Sequence, residues 1–213
     1  MKKIIFIFFV LATFFSCKAQ TPIIPLTTNE YGDVENAYYK DLGGDLENLV
    51  GTWLYVNGNE MFKIIIEKKE EELINLDIVS NISYYEDILY GEYRYVDETG
   101  TELVNSLTNI NDPNLETTDH LIWGNDILTS PFNPPKCETC LPNERRVQLF
   151  FEDPQRSYLG GEATLRIIPD PFDQYTDERM ELVLNGEPGI KIVPQGQPLE
   201  NRIPYKTYIL IKQ

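Results

Sequence analysis

The sequence predicts an all-β fold: an antiparallel meander of about eight to ten strands that closes into a barrel, with a β-sandwich as the alternative. Three observations carry this. Apolar residues recur at every second position over short segments. Gly, Pro, Asn and Asp residues separate those segments, and no long stretch carries a helical stripe. Closure is favoured over an open sheet because it leaves no unpaired strand edge.

Along the chain, strands are expected at 50–56, 61–68, 74–79, 87–96, 102–107, 121–128, 145–151, 162–168, 181–184 and 205–212. Asn57-Gly58-Asn59 lies between the first two and reads as a hairpin turn. Phe62, Ile64 and Ile66 fall on one face of the second strand, with Lys63 and Glu67 mostly on the other. Val147, Leu149 and Phe151 share a face, as do Ala163, Leu165 and Ile167, and then Tyr205, Thr207, Ile209 and Ile211. The run Glu70-Glu71-Glu72 reads as a solvated loop, and Ile122-Trp123-Gly124-Asn125 as a strand end near a turn.

The chain holds 13 Tyr and 10 Phe, enough aromatic matter to fill a core. Five tyrosines crowd one hairpin. Tyr93 and Tyr95 share a face there, and Tyr90 points the other way with Ile88 and Glu92. Core filling is the favoured use of these rings, and stacking against sugars is the alternative.

The N-terminus speaks to compartment. Lys2 and Lys3 precede an apolar run from 4 to 15 that is too short to span a bilayer, so residues 1–16 read as a signal peptide. Phe14-Phe15-Ser16-Cys17 resembles a bacterial lipobox, with Phe14 where an aliphatic residue is usual. That resemblance implies a diacylglycerol on Cys17. The other reading is an ordinary secretory signal cleaved near Ala19-Gln20. Residues 17–46 are then a lipidated N-terminus and flexible tether, broken by Pro22, Pro25, Gly32 and Gly43-Gly44. Tyr31, Tyr38 and Tyr39 suggest that its second half lies against the domain, and residues 47–213 form one β domain. The expected location is the bacterial cell envelope, with the protein a monomer anchored to the membrane through its lipid.

Charge narrows the partners. The chain carries 34 acidic and 18 basic residues, a net of −16, which deepens when Lys2 and Lys3 leave with the signal. No basic cluster exists to neutralise phosphates, so nucleic acid is not an expected partner. Anionic headgroups would repel this surface, which leaves the acyl chains to supply the membrane hold.

Few residues suggest chemistry. Cys137 and Cys140 form a Cys-x-x-Cys pair in a proline-rich loop from 131 to 142. A redox dithiol needs a helix N-terminus in a βαβ context, and a zinc site normally needs four Cys or His ligands. Outside the cytoplasm the two cysteines are expected to oxidise to a disulfide, with metal and redox roles as alternatives. The loop carrying Asp170, Asp173, Asp177 and Glu178 is oxygen-rich enough for a hard cation, but it lacks EF-hand spacing; a solvated hairpin loop is the other reading. His120, the only histidine, is expected at a surface or strand edge. No nucleophile elbow, phosphate loop or zincin motif occurs, and no cofactor is expected.

Gly51-Thr52-Trp53 at the start of the first long strand, with a basic residue late in the last, resembles the lipocalin-like barrels. The resemblance implies that Trp53 closes the narrow end, with Lys212, or else Arg202, lying across its indole. A wider pattern runs from the FFSCKAQ signal through Tyr38-Tyr39-Lys40-Asp41 and Leu89-Tyr90-Gly91-Glu92-Tyr93 to the closing Tyr208-Ile209-Leu210-Ile211-Lys212-Gln213. It resembles an uncharacterised family of small exported Bacteroidota lipoproteins, which implies a compartment but no reaction. Three functions stay open: a module that holds a small apolar or amphipathic ligand inside the barrel, an envelope protein with a filled core that acts through its surface, and a hydrolase using paired carboxylates.

Overall fold

The computed structural model describes residues 21–75, 82–170, 175–186 and 192–213. Among them lie eleven strands: β1 (Ile23–Pro25), β2 (Tyr38–Lys40), β3 (Gly51–Asn57), β4 (Glu60–Asn75), β5 (Ser83–Val96), β6 (Glu102–Asn105), β7 (Ile122–Leu128), β8 (Arg146–Phe151), β9 (Glu162–Ile167), β10 (Arg179–Asn185) and β11 (Thr207–Lys212). The barrel follows from their pairing. β5, β4, β3, β11, β10, β9, β8 and β7 lie side by side in that order, and β7 pairs back onto β5. All eight contacts are antiparallel. The expected barrel is therefore present, closed and lipocalin-like in layout.

The β3–β4 hairpin shows how local sequence sets register. Asn57 pairs with Glu60 across a two-residue turn in which Gly58 has φ 63°, a conformation that glycine adopts without steric penalty. From that turn the alternation of β4 places Phe62, Ile64 and Ile66 inward.

Two expectations change here. Strands foreseen at 61–68 and 74–79 belong to one strand, β4, and positions 76–79 lie outside the described residues. The acidic run between them is a bulge rather than a loop: the β4–β5 register shifts between Lys69 and Glu72, and Glu71 takes φ 54°. One extra residue is absorbed without ending the pairing, so consecutive like charges stay on a strand.

The segment read as a tether also contributes structure from residue 21 onward. β1 pairs in parallel with β2, and β2 in parallel with the start of β5. Leu26, Ala37, Tyr39 and Leu46 join the core, and Tyr31, Tyr39 and Tyr84 pack as a ring cluster with centroids 4.9–5.7 Å apart.

The barrel interior is filled by its own side chains. Phe62 sits at the centre, edge-on to Tyr93, Tyr95 and Tyr208 with centroids 5.1–5.5 Å away. Phe151 stacks on Tyr93 at 5.0 Å. All five rings are buried, as are Leu89, Leu149, Leu165, Met180, Leu182 and Leu210 around them. The face of β11 chosen for the core is Tyr208 and Leu210, not Ile209 and Ile211, which stay 38% and 36% exposed. Both faces of that strand are apolar, so alternation alone could not choose. Pairing of Ile211 with Leu54 and of Lys212 with Trp53 decides it.

Candidate functional site

The outer wall carries the more unusual arrangement, and it begins with one glycine. β7 pairs with β5 only from Ile122 to Gly124. Against β8, its register shifts between Trp123 and Asp126. Gly124 sits in this bulge at φ 138°, and a Cβ there would lie 3.3 Å from the Leu149 Cα. The segment read as a strand end is thus a bulge inside a strand. Past it, β5 and β7 separate, and a notch of about 290 Å³ opens between them.

Four strands line this notch. Trp123 from β7 and Phe150 from β8 face each other across the ladder and stack, with centroids 4.4 Å apart and planes 26° from parallel. Trp123 is half-buried and Phe150 is 49% exposed, so the pair presents aromatic surface to solvent. Gln148 donates from Nε2 to Glu162 Oε2 at 2.7 Å. Asn125 ties the separated strands together, donating from Nδ2 to the Asp87 carbonyl at 2.9 Å and to the Tyr31 hydroxyl at 3.1 Å. Asp126 stands exposed at the rim.

Glu86 supplies the acid on the β5 side. It is 5% exposed, and its Oε2 has no hydrogen-bond partner. Burial raises its carboxyl to about 7; the Asn125 amide partly offsets this and the Asp87 charge adds to it. Among the described residues no lysine or arginine lines the notch beside Glu86 and Asp126.

Next to the notch on the same wall, Tyr90 pairs with Trp123 across the β5–β7 ladder. The His120 ring packs 4.7 Å from Tyr90, and its Nδ1 lies 2.8 Å from Glu92 Oε1. His120 is therefore buried rather than exposed at an edge, because the connection from β6 to β7 folds it down onto the outer face of β5.

The positions singled out by sequence fall elsewhere. Trp53 is fully buried, donates from Nε1 to the Leu49 carbonyl at 2.8 Å, and has Lys212 Nζ 5.2 Å from its ring centroid. Arg202 is not near that ring; it forks onto Asp153 and donates to the Leu103 carbonyl at 2.8 Å. Of the acidic loop, Asp173 lies outside the described residues. Asp170 accepts from the Tyr175 amide at 2.6 Å, Asp177 from the Thr176 hydroxyl at 3.1 Å, and Glu178 pairs with Lys212 at 2.8 Å. Among the described residues no group of three His, Cys, Asp or Glu side chains is placed to hold a metal ion. Cys137 and Cys140 form a disulfide, and Cys17 lies outside the described residues.

The proline-rich loop around the disulfide hangs from Arg146. Its guanidinium donates to the carbonyls of Ser130 at 3.1 Å and Asn133 at 2.9 Å, and also to that of Pro135. Phe132 and Leu141 stay exposed on that loop.

Glu86, Gln148 and Phe150 escaped sequence reasoning because they come from separate strands with nothing local to join them. The signal that was available is Gly124, a glycine inside a strand pattern, which marks a bulge or close backbone approach.

Taken together, these features define a closed, eight-stranded antiparallel barrel of the lipocalin-like type, with a filled interior and an acidic, aromatic notch in its outer wall. The chain belongs to DUF6705, a family of unknown function whose match covers residues 1–213. No curated protein and no solved structure matches it.

Proposed function

We propose that the protein is a binding module of the bacterial cell envelope, anchored through a lipid on Cys17, that works through the outer wall of its barrel. The observation that carries this reading is the filled interior. Five mutually packed rings, Phe62, Tyr93, Tyr95, Phe151 and Tyr208, occupy the space in which a hollow barrel would hold its ligand. A ligand there would have to displace packed aromatic side chains, each of which gains contact energy from its neighbours. The outer notch instead offers an aromatic pair beside polar groups, the usual composition of a recognition site. Titration with a fluorescent polyunsaturated fatty acid tests the choice. The expected result is no saturable uptake. One-to-one uptake that survives Trp123→Ala would place the ligand inside the barrel and overturn the proposal.

A further inference from the structure

We infer that the notch between β5 and β7 takes a small organic cation, an ammonium or guanidinium on an apolar stem, with Glu86 as the counter-charge and the Trp123–Phe150 pair as the platform. This rests on the outer-wall reading above and adds the chemistry of the ligand.

Three observations converge on a cation. Glu86 Oε2 is buried without a donor, and a buried carboxylate oxygen in that state is satisfied by a proton or by a positive group. Glu86 and Asp126 line the notch with no basic residue among the described lining residues, so the field of these two acids favours cations over anions. Aromatic faces beside the acids add a second attraction for the same sign of charge, since the ring quadrupole is negative over its face.

A further observation restricts the size. These acids are not grouped closely enough for a metal ion among the described residues. They are spread around an aromatic pair, which suits a larger cation whose charge sits at one end and whose carbon stem lies against a ring.

The groups that face Glu86 make the interaction proton-linked. Glu72 lies opposite it on β4, Asp87 follows it on β5, and Asn125, Asp126 and Glu162 come from β7 and β9. Tyr39 of β2 is opposite on the other ladder, but its hydroxyl donates to the Glu30 carbonyl at 3.0 Å. Lys69 is engaged 4.0 Å from Glu72. With Glu86 titrating near 7, the notch gains its counter-charge as pH rises through neutrality.

Calorimetric titration of the purified protein with phenethylamine and with its neutral analogue 2-phenylethanol tests the inference. At pH 8 and low salt the amine is expected to bind at least tenfold more tightly than the alcohol. That preference should shrink at pH 5.5 and in high salt, and it should be lost in Glu86→Gln. The pH and salt profiles of the unaltered protein make the same test without any substitution. If both compounds bind equally and Trp123→Ala abolishes both, the cation falls while the outer-wall reading stands. Amine binding that neither Glu86→Gln nor Trp123→Ala changes would sink the two together, and no amine binding at all would overturn the cation.

Discussion

Lys212 lies over Trp53, its Nζ 5.2 Å from the ring centroid, and Glu178 holds it there from 2.8 Å away. The indole is fully buried beneath this ion pair and is tied to the Leu49 carbonyl, so the ring is packed, hydrogen-bonded and covered by a cation.

Trp53→Ala should therefore cost about 3–5 kcal/mol, the range for deleting a large buried aromatic. Trp123→Ala should cost less, because Trp123 is only half-buried and stacks on one exposed ring. Lys212→Met should cost about 0.5–1 kcal/mol, the worth of an exposed cation–π contact. Chemical denaturation of the three variants checks the order. A Trp53→Ala protein as stable as the parent would remove this account of the buried indole.

Glu60 is the second prediction. It is fully buried, and burial alone would raise its carboxyl. Hydrogen bonds from Lys206 and Tyr95, at 2.8 Å each, overcome this and hold it below the ordinary carboxylate value. Its folded pKa is thus depressed, so its stabilisation is present above the unfolded value and is lost as pH falls through the folded one. Glu60→Gln should destabilise by about 2–3 kcal/mol at neutral pH, below the ~3–5 kcal/mol of a fully buried pair because Lys206 stays partly solvated. The deficit should narrow in acid. Melting temperatures measured from pH 7 down to 3 show whether it does.

Glu86 has the opposite sign. Its folded pKa is raised to about 7, so its contribution is fully favourable below the unfolded carboxylate value and is lost as pH climbs toward and past 7. Glu86→Gln should stabilise the protein by on the order of 2–3 kcal/mol at pH 8 and change little at pH 4. Equal effects at both pH values would contradict a neutral, buried Glu86 at low pH.

The disulfide contrasts with Arg146. Cys137 and Cys140 are three positions apart, so their bond closes a small loop and removes little chain entropy, at most about 2 kcal/mol. Replacing both by serine should leave the melting point near that of the parent. Arg146→Ala should do more damage, because it strips a shared donor from the carbonyls of Ser130, Asn133 and Pro135, at about 1–3 kcal/mol for each carbonyl left buried. If the double serine variant is the less stable of the two, the covalent link holds the loop and Arg146 does not.

Cys17 should carry lipid. Labelling with a clickable palmitate analogue is expected to tag the protein and to lose the tag in Cys17→Ser, with the variant moving to the aqueous phase of a detergent extraction. Identical partition of both forms would end the anchored reading.

What sequence alone determined about this protein was the period-two pattern and its interruptions. Those were enough for an all-β barrel and for Phe62, Ile64 and Ile66 as core residues, because each depends on local alternation; Trp53 and Lys212 as neighbours came instead from the resemblance to lipocalin-like barrels. The alternation put Ile209 and Ile211 on one shared face without saying which way it points; it is the outer one, and Lys212 shares the other with Leu210 and Tyr208. Only the register of β11 on β3 could resolve that. The tyrosines at 31, 38 and 39 did announce that the second half of the 17–46 segment packs on the domain, but its strand pairing and the Glu70–Glu72 bulge were hidden, because a short segment can add itself to an existing edge and a strand can absorb one extra residue. Tertiary structure also decided whether the barrel is hollow or filled, a matter of how side chains from eight strands meet at one axis. The notch was decided the same way: Glu86, Trp123, Gln148 and Phe150 meet only after the Gly124 bulge separates β7 from β5. A carboxylate loses its solvation, and so acquires an unusual affinity for protons or cations, only where the chain has folded around it.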